Sequence, residues 1–193
     1  LLREISSRPE ILSPADMLTK LREMVIMSLN QQGGKVDQAD GMDMTIVIIN
    51  PSTLEMEFAG AYLSAIVVRE GTFNVSAESQ NPRLSQQNGV SLLELRGNKM
   101  PIGHHIFVSE PFTNLSLQLK KGDMLYLFSD GYADQFGGER NIKFLLQNFR
   151  ILLMDICTLD IKEQKKALVK TIEEYQGDKK QVDDMLVLGV RLS

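Results

Sequence analysis

Two short acidic segments have the residue types and the placement to hold a cation. Ser129-Asp130-Gly131 directly follows the apolar stretch Met124–Phe128, and Gln181-Val182-Asp183-Asp184 directly precedes the stretch from Met185 to Leu192. If both stretches are strands, Asp130 stands where one leaves the core and Asp183 where the other enters it, with Gly131 permitting the sharp turn. If those strands are also antiparallel neighbours, the two carboxylates meet at one end of a sheet, where they repel unless a cation lies between them. Carboxylates with no Cys or His cluster beside them suit hard ions, Mn2+ or Mg2+, which prefer oxygen ligands. Each segment by itself also reads as a plain turn, since Asp-Gly is a common turn dipeptide and Asp-Asp before a strand is often a solvated loop. The strand context of both together is what points to a site.

Other residues are weighed against plainer roles. Asp40 and Asp43 precede the stretch from Met44 and can approach the same site, although capping a turn is the simpler job; Asp43 is counted as supporting. Asp134 can face the same pocket or end a helix in solvent. His104-His105 are the chain's only histidines, and adjacent residues in a strand point to opposite faces, so a surface or loop role is expected for both. Cys157, the single cysteine, has no basic neighbours to activate a thiolate and reads as a small buried hydrophobe.

The elements that must position these residues follow from periodicity. Ser13-Pro14-Ala15-Asp16 is a helix start, with a capping hydroxyl, a proline at the first helical position and an acid in the first turn. Leu18, Leu21, Val25 and Leu29 mark one face up to Gly33-Gly34. Leu1, Leu2 and Ile5 have the spacing of a helix tail. Met44–Ile49 reads as a strand buried on both faces, Leu54, Met56 and Phe58 as a strand with one wet face, and Tyr62–Val68 as a third. Such close spacing implies antiparallel pairing, because a parallel connection needs about a dozen residues or more. Ser76 to Gly89 reads as a loop. Further strands are expected at Leu92–Leu95, Ile106–Val108, Leu115 to Leu119, Met124–Phe128 and Met185–Leu192. Two helices are expected between the last two, one marked by Ile142, Leu145, Leu146, Phe149, Leu152 and Leu153, the other by Ile161, Leu168 and Ile172. The methionines read as core filler. A helix, many strands, two helices and a strand point to a layered α+β domain rather than alternating βαβ units.

The 193 residues fit one domain, and 43% hydrophobic with 24% charged residues is ordinary globular composition. A net charge of -4 with scattered basic residues leaves no electrostatic footprint for nucleic acid. The apolar run Met44–Ile49 is far short of the roughly 20 residues that span a bilayer, so no membrane contact by this segment is expected. A lone cysteine fits a reducing compartment, and the reading is cytoplasmic.

Several segments taken in order resemble a known family. They are Gly41-Met42-Asp43-Met44, Phe58-Ala59-Gly60-Ala61, Met100-Pro101-Ile102-Gly103, the long run from Leu119 through Ser129-Asp130-Gly131, and Asp183-Asp184-Met185-Leu186-Val187-Leu188. Together they resemble the sporulation-regulator (SpoIIE-like) branch of the type-2C metal-dependent serine/threonine phosphatases. The resemblance implies a four-layer αββα sandwich of two antiparallel sheets flanked by helices. It implies two Mn2+ or Mg2+ ions that activate a water for attack on phosphoserine or phosphothreonine, with Asp130 and Asp183 as metal ligands and Asp184 supporting the loop of Asp183.

The family also carries an early Gly-Asp, Gly-His-Gly and Gly-Ala segment whose Asp bridges both metals, and nothing like it occurs between Leu1 and Ser193. Residues 1–193 are therefore expected to be a single phosphatase-like domain lacking its N-terminal metal-binding segment, inactive alone. Leu186 stands where the family usually has Thr. The resemblance implies a phosphorylated regulatory protein of the anti-sigma-antagonist type as substrate and an upstream sensor domain in the parent chain, and it allows a homodimer. The rival expectation is a non-catalytic, phosphatase-like interaction or signalling module. A haloacid-dehalogenase-type phosphatase would need Asp-x-Asp after a buried strand, and Asp130-Gly131-Tyr132 lacks the second acid.

Overall fold

Ser13 opens the first helix as expected: its hydroxyl accepts from Asp16 N–H while the Asp16 carboxylate accepts from Ser13 N–H, a reciprocal capping box. The computed structural model describes residues 13–29, 41–75 and 81–193. The helix-tail reading at Leu1, Leu2 and Ile5, the stop at Gly33-Gly34 and Asp40 lie outside the described residues. Helix α1 runs Pro14–Ser28 and buries Leu18, Leu21 and Val25. Leu29 is not part of that face: it is the C-cap and 51% exposed.

The chain divides into two compact units, each assembled from separate stretches of sequence. The first holds α1 and a three-stranded sheet in the order β1-β2-β6, with β1 Met44–Ile49, β2 Glu55–Ala61 and β6 Leu115–Gln118. Both pairings are antiparallel. In β2 the expected alternation holds from Glu55 to Phe58, with Met56 and Phe58 buried and Glu55 exposed, but Leu54 lies outside the strand at φ 56°. Strand β1 is not buried on both faces: it lies at the sheet edge, most of its residues are half-buried, and Ile48 is exposed. Ala15, Leu18, Leu21 and Val25 of α1 pack with Ala59, Ala61, Met100, Ile102 and Phe112. Arg22 is drawn into this core by its guanidinium, which donates to Glu110 O at 2.8 Å and lies over the Phe112 ring.

The second unit carries a five-stranded sheet in the order β10-β7-β3-β5-β4. Its strands are β3 Ala65–Glu70, β4 Arg83–Gln87, β5 Val90–Leu95, β7 Met124–Phe128 and β10 Val187–Arg191. A one-turn helix α2 (Gly131–Asp134), the ribbon β8 (Phe136–Gly137) and β9 (Ile142–Lys143), and helices α3 (Leu146–Ile156) and α4 (Ile161–Gln176) complete it. Ile66, Val68, Leu92, Met124, Tyr126 and Phe128 from the sheet form one core with Phe149, Leu153, Ile156 and Ile172 from the helices. Arg69 and Asp123 are both buried and joined by two bonds, Nε to Oδ1 at 2.8 Å and Nη2 to Oδ2 at 2.6 Å, so neither charge is left uncompensated.

Several expectations are corrected. The strand expected at Tyr62–Val68 begins only at Ala65, because Tyr62 takes positive φ (57°) and is exposed. Strands β2 and β3, although close in sequence, belong to different sheets, so their spacing did not imply a hairpin. The reading of Ser76–Gly89 as loop lies outside the described residues at 76–80 and fails at Arg83–Gln87, where β4 pairs antiparallel with β5. Asn88 and Gly89 both take positive φ, 51° and 78°, the conformation of a tight Asn-Gly hairpin turn. Ile106–Val108 is not a strand but an exposed turn, with Ile106 83% exposed. Helix α3 starts at Leu146 rather than near Ile142, after β9 and a Leu145 held at φ 74°. Met27 and Met42 are exposed and are not core filler, whereas Met56, Met100, Met124 and Met154 are buried. Among the described residues no helix is long and apolar enough to cross a membrane.

Candidate metal centre

Strand β7 is apolar enough to be an interior strand, and β10 pairs with it antiparallel, Val187 opposite Phe128 and Arg191 opposite Met124. This register puts the end of β7 and the beginning of β10 at the same edge. The ladder continues past both strands through Ser129: its N–H donates to Leu186 O at 3.0 Å, and its hydroxyl accepts from Leu186 N–H at 2.9 Å. The same hydroxyl donates to Asp184 O at 2.7 Å. Asp130 follows at once as the N-cap of α2, and its side chain makes no capping bond to that helix. Both Asp130 and Asp183 are exposed.

Gly131 is required by proximity rather than by its dihedrals. A Cβ there would stand 2.4 Å from Asp184 O and 3.2 Å from Asp183 O. The Asp130 and Asp183 segments therefore touch backbone to backbone, which only glycine allows. Asp183 Oδ1 accepts from Asp184 N–H at 2.7 Å, and Asp183 O accepts from Gln181 Nε2 at 2.7 Å. Asp184 thus supports the loop through its main chain, donating to Asp183 and accepting from Ser129.

On the other side of Asp183 lies Gln135, fully buried. Its Nε2 donates to Lys180 O and Phe136 O, each at 3.0 Å, and its Oε1 accepts from Val182 N–H at 3.2 Å. Ser129 and Gln135 are the residues that sequence reasoning passed over. Serine before Asp-Gly was visible as part of the motif, but a glutamine five residues beyond an aspartate carries no signal until the fold brings Lys180–Val182 to it.

The remaining candidates fall elsewhere. Asp134 is ion-paired with Lys143 at 2.7 Å at the end of α2. Asp43 is exposed and belongs to the first unit, between the Met42–Ile102 bridge and β1. His104 and His105 sit in a loop of that unit, where His105 Nδ1 accepts from Phe107 N–H at 3.3 Å. Cys157 is buried, and burial pushes its thiol up.

Asp130 and Asp183 offer hard oxygen donors at one edge, which suits Mn2+ or Mg2+ in kind. They do not suffice in number: among the described residues no three His, Cys, Asp or Glu side chains come together in a way that could hold an ion. The described residues by themselves do not complete a metal centre.

Comparison with known proteins adds the family. The model of the stage II sporulation protein E (SpoIIE) family matches residues 2–193. Among solved structures, the chain is similar to the SiaA-PP2C domain of Pseudomonas aeruginosa, at 26% identity and a TM-score of 0.78 over 100% of this chain. It is also similar in fold to the SpoIIE phosphatase domain of Bacillus subtilis presoaked with Mn, at 16% identity and a TM-score of 0.54 over 99% of this chain. A second SpoIIE structure, which includes a fragment of the regulatory domain, gives 17% identity and a TM-score of 0.63 over 98% of this chain. The chain spans 66% of the SiaA chain's length and 70% and 47% of the two SpoIIE chains. No curated protein matches it. With two antiparallel sheets and helices on an α+β plan, and the family model matched along nearly its whole length, this chain belongs to the SpoIIE family and has the fold of the PP2C-type phosphatase domains.

Proposed function

We propose that residues 1–193 form a single phosphatase-like domain whose parent protein hydrolyses phosphoserine or phosphothreonine on a regulatory protein, with Mn2+ or Mg2+ held in part by Asp130 and Asp183. One observation carries this reading: the antiparallel pairing of β7 with β10 brings the two acidic segments to one sheet edge, in backbone contact at Gly131. Both carboxylates are exposed there, open to an ion and to a phosphoryl group. A divalent ion, when bound at such a site, makes water a usable nucleophile near neutral pH and neutralises phosphoryl oxygens. The chain's own contribution is to hold the two carboxylates at a common edge. No protein nucleophile is needed, which agrees with a buried Cys157 whose thiol is pushed up rather than activated.

On this reading the substrate is a phosphorylated regulator of the anti-sigma-antagonist type, and the domain works in the cytoplasm behind a sensor domain; the reading allows a homodimer. The test is phosphate release from a phosphoserine protein by the full-length protein supplied with Mn2+. Asp130→Asn is expected to abolish that release, and unchanged turnover in the variant would overturn the assignment.

A second reading is favoured by the incomplete donor set among the described residues: a phosphatase-like module that binds a partner without turnover. It requires that the full-length protein with Mn2+ release no phosphate at all.

A further inference from the structure

We infer that Ser129 and Gln135 are positioning residues that hold Asp183 in place from both sides, and that the segment carrying Asp130 thereby sets the geometry of the whole acidic edge. The inference rests on the reading of Asp130 and Asp183 as metal ligands and goes beyond it by naming what orients them.

The carboxamide of Gln135 acts as a substitute peptide group. It donates to Lys180 O at 3.0 Å and accepts from Val182 N–H at 3.2 Å. That is the pattern by which one strand residue brackets residues i and i+2 of a parallel neighbour. The second Nε2 hydrogen goes to Phe136 O at 3.0 Å, and the side chain is fully buried, so its orientation is fixed rather than shared with solvent. One residue past Val182 stands Asp183. One residue past Asp183, Asp184 O accepts from the Ser129 hydroxyl at 2.7 Å, and that hydroxyl accepts in turn from Leu186 N–H at 2.9 Å. Asp183 is thus flanked on each side by a residue whose main chain is bonded to a side chain of the 129–135 segment. Asp130 lies inside that same segment, one residue after Ser129 and five before Gln135.

The strand ladder by itself does not do this. Regular β10 begins only at Val187, and residues 181–184 are exposed loop. Without the two side chains, the hydrogen bond left among the described residues to tie the loop carrying Asp183 to the end of β7 would be the Ser129–Leu186 main-chain bond. Partners that orient metal ligands in this way commonly matter for metal affinity on the order of 10- to 100-fold.

The test uses the full-length protein with two variants, Gln135→Met, which keeps the volume and removes all three bonds, and Ser129→Ala. Thermal unfolding first establishes that each variant is folded. Amide exchange without metal is then read at single residues. Val182 N–H is expected to exchange about five- to tenfold faster in Gln135→Met, and Leu186 N–H by a similar factor in Ser129→Ala, the worth of one hydrogen bond. Core amides of β7 should be unchanged, which a merely structural role would not produce. Mn2+ binding, followed by the loss of the free-ion paramagnetic resonance signal, is expected to weaken on the order of 10-fold or more in each variant.

Wild-type exchange and wild-type Mn2+ affinity in the folded variants would overturn the inference while leaving the metal site intact. If Gln135→Met does not fold, Ser129→Ala decides alone by the same readings. Mn2+ binding that survives both Asp130→Asn and Asp183→Asn, or is absent from the wild type, would overturn the metal-site reading and this inference with it, even if the exchange pattern were as expected.

Discussion

Gly131 shows how little room the acidic edge leaves. A methyl group there would meet Asp184 O at 2.4 Å, a distance that only a backbone shift could relieve. Gly131→Ala is therefore expected to push the Asp183 loop off the edge and to destabilise the protein by about 1–3 kcal/mol, as overpacking does. Chemical denaturation measures the cost, and phosphate release by the full-length protein should fall with it. A variant as stable and as active as the wild type would mean that the two segments do not touch as described. At this scale the sequence was informative about residue types: Asp130, Gly131 and Asp183 stand out because their neighbours form turn and strand signals. It was silent about Gln135, since a buried amide's partners are main-chain atoms 45 and 47 positions away, at Lys180 and Val182.

At the scale of elements, the segments with strong local signals emerged with nearly the expected bounds. Helix α4 is one: Asp160 caps it by accepting from Lys162 and Glu163 N–H at 2.8 and 3.0 Å, Gly177 closes it at positive φ, and charge covers its outer side. Part of its tie to the sheet is polar, beside the apolar packing of Ile172. Tyr126 O–H donates to Gln164 Oε1 at 2.7 Å, and Gln164 Nε2 donates to Cys157 O and Leu159 O. Asp160→Ala is expected to cost about 1 kcal/mol, a drop in melting temperature of roughly 2–4 °C for a chain of this size. A calorimetric scan checks it, and no change would mean that the cap does not form. The elements that periodicity misplaced share a cause. Ile106–Val108 is apolar but has no neighbouring strand among the described residues to satisfy its backbone, and β4 is polar but is registered by the Asn88-Gly89 turn and its pairing with β5. Strand formation depends on a partner as much as on composition.

Across the molecule, the second unit places two phenols in its core, Tyr126 and Tyr132, both pushed well above the ordinary tyrosine range by burial. Their folded values exceed the unfolded ones, so the stability linked to them is complete below about pH 10, the unfolded value, and falls as pH rises further. Equilibrium unfolding followed with pH should show a plateau that gives way above about pH 10. Part of the phenolate absorbance should appear only as the chain unfolds. Phenolate absorbance that develops fully in the native state would contradict this packing. Read from the amino acids alone, the molecule's class and its main strands and helices were already determined, and the acids proposed to bind a hard cation were already marked, because hydrophobic period, caps and turn residues act within a few positions. Which strand joins which sheet, the register of β10 on β7 and the hydrogen bonds around Asp183 were decided only by tertiary structure. Those depend on which backbone groups find each other across long stretches of chain, and a main-chain carbonyl or N–H looks the same in every residue until the fold has chosen its partner.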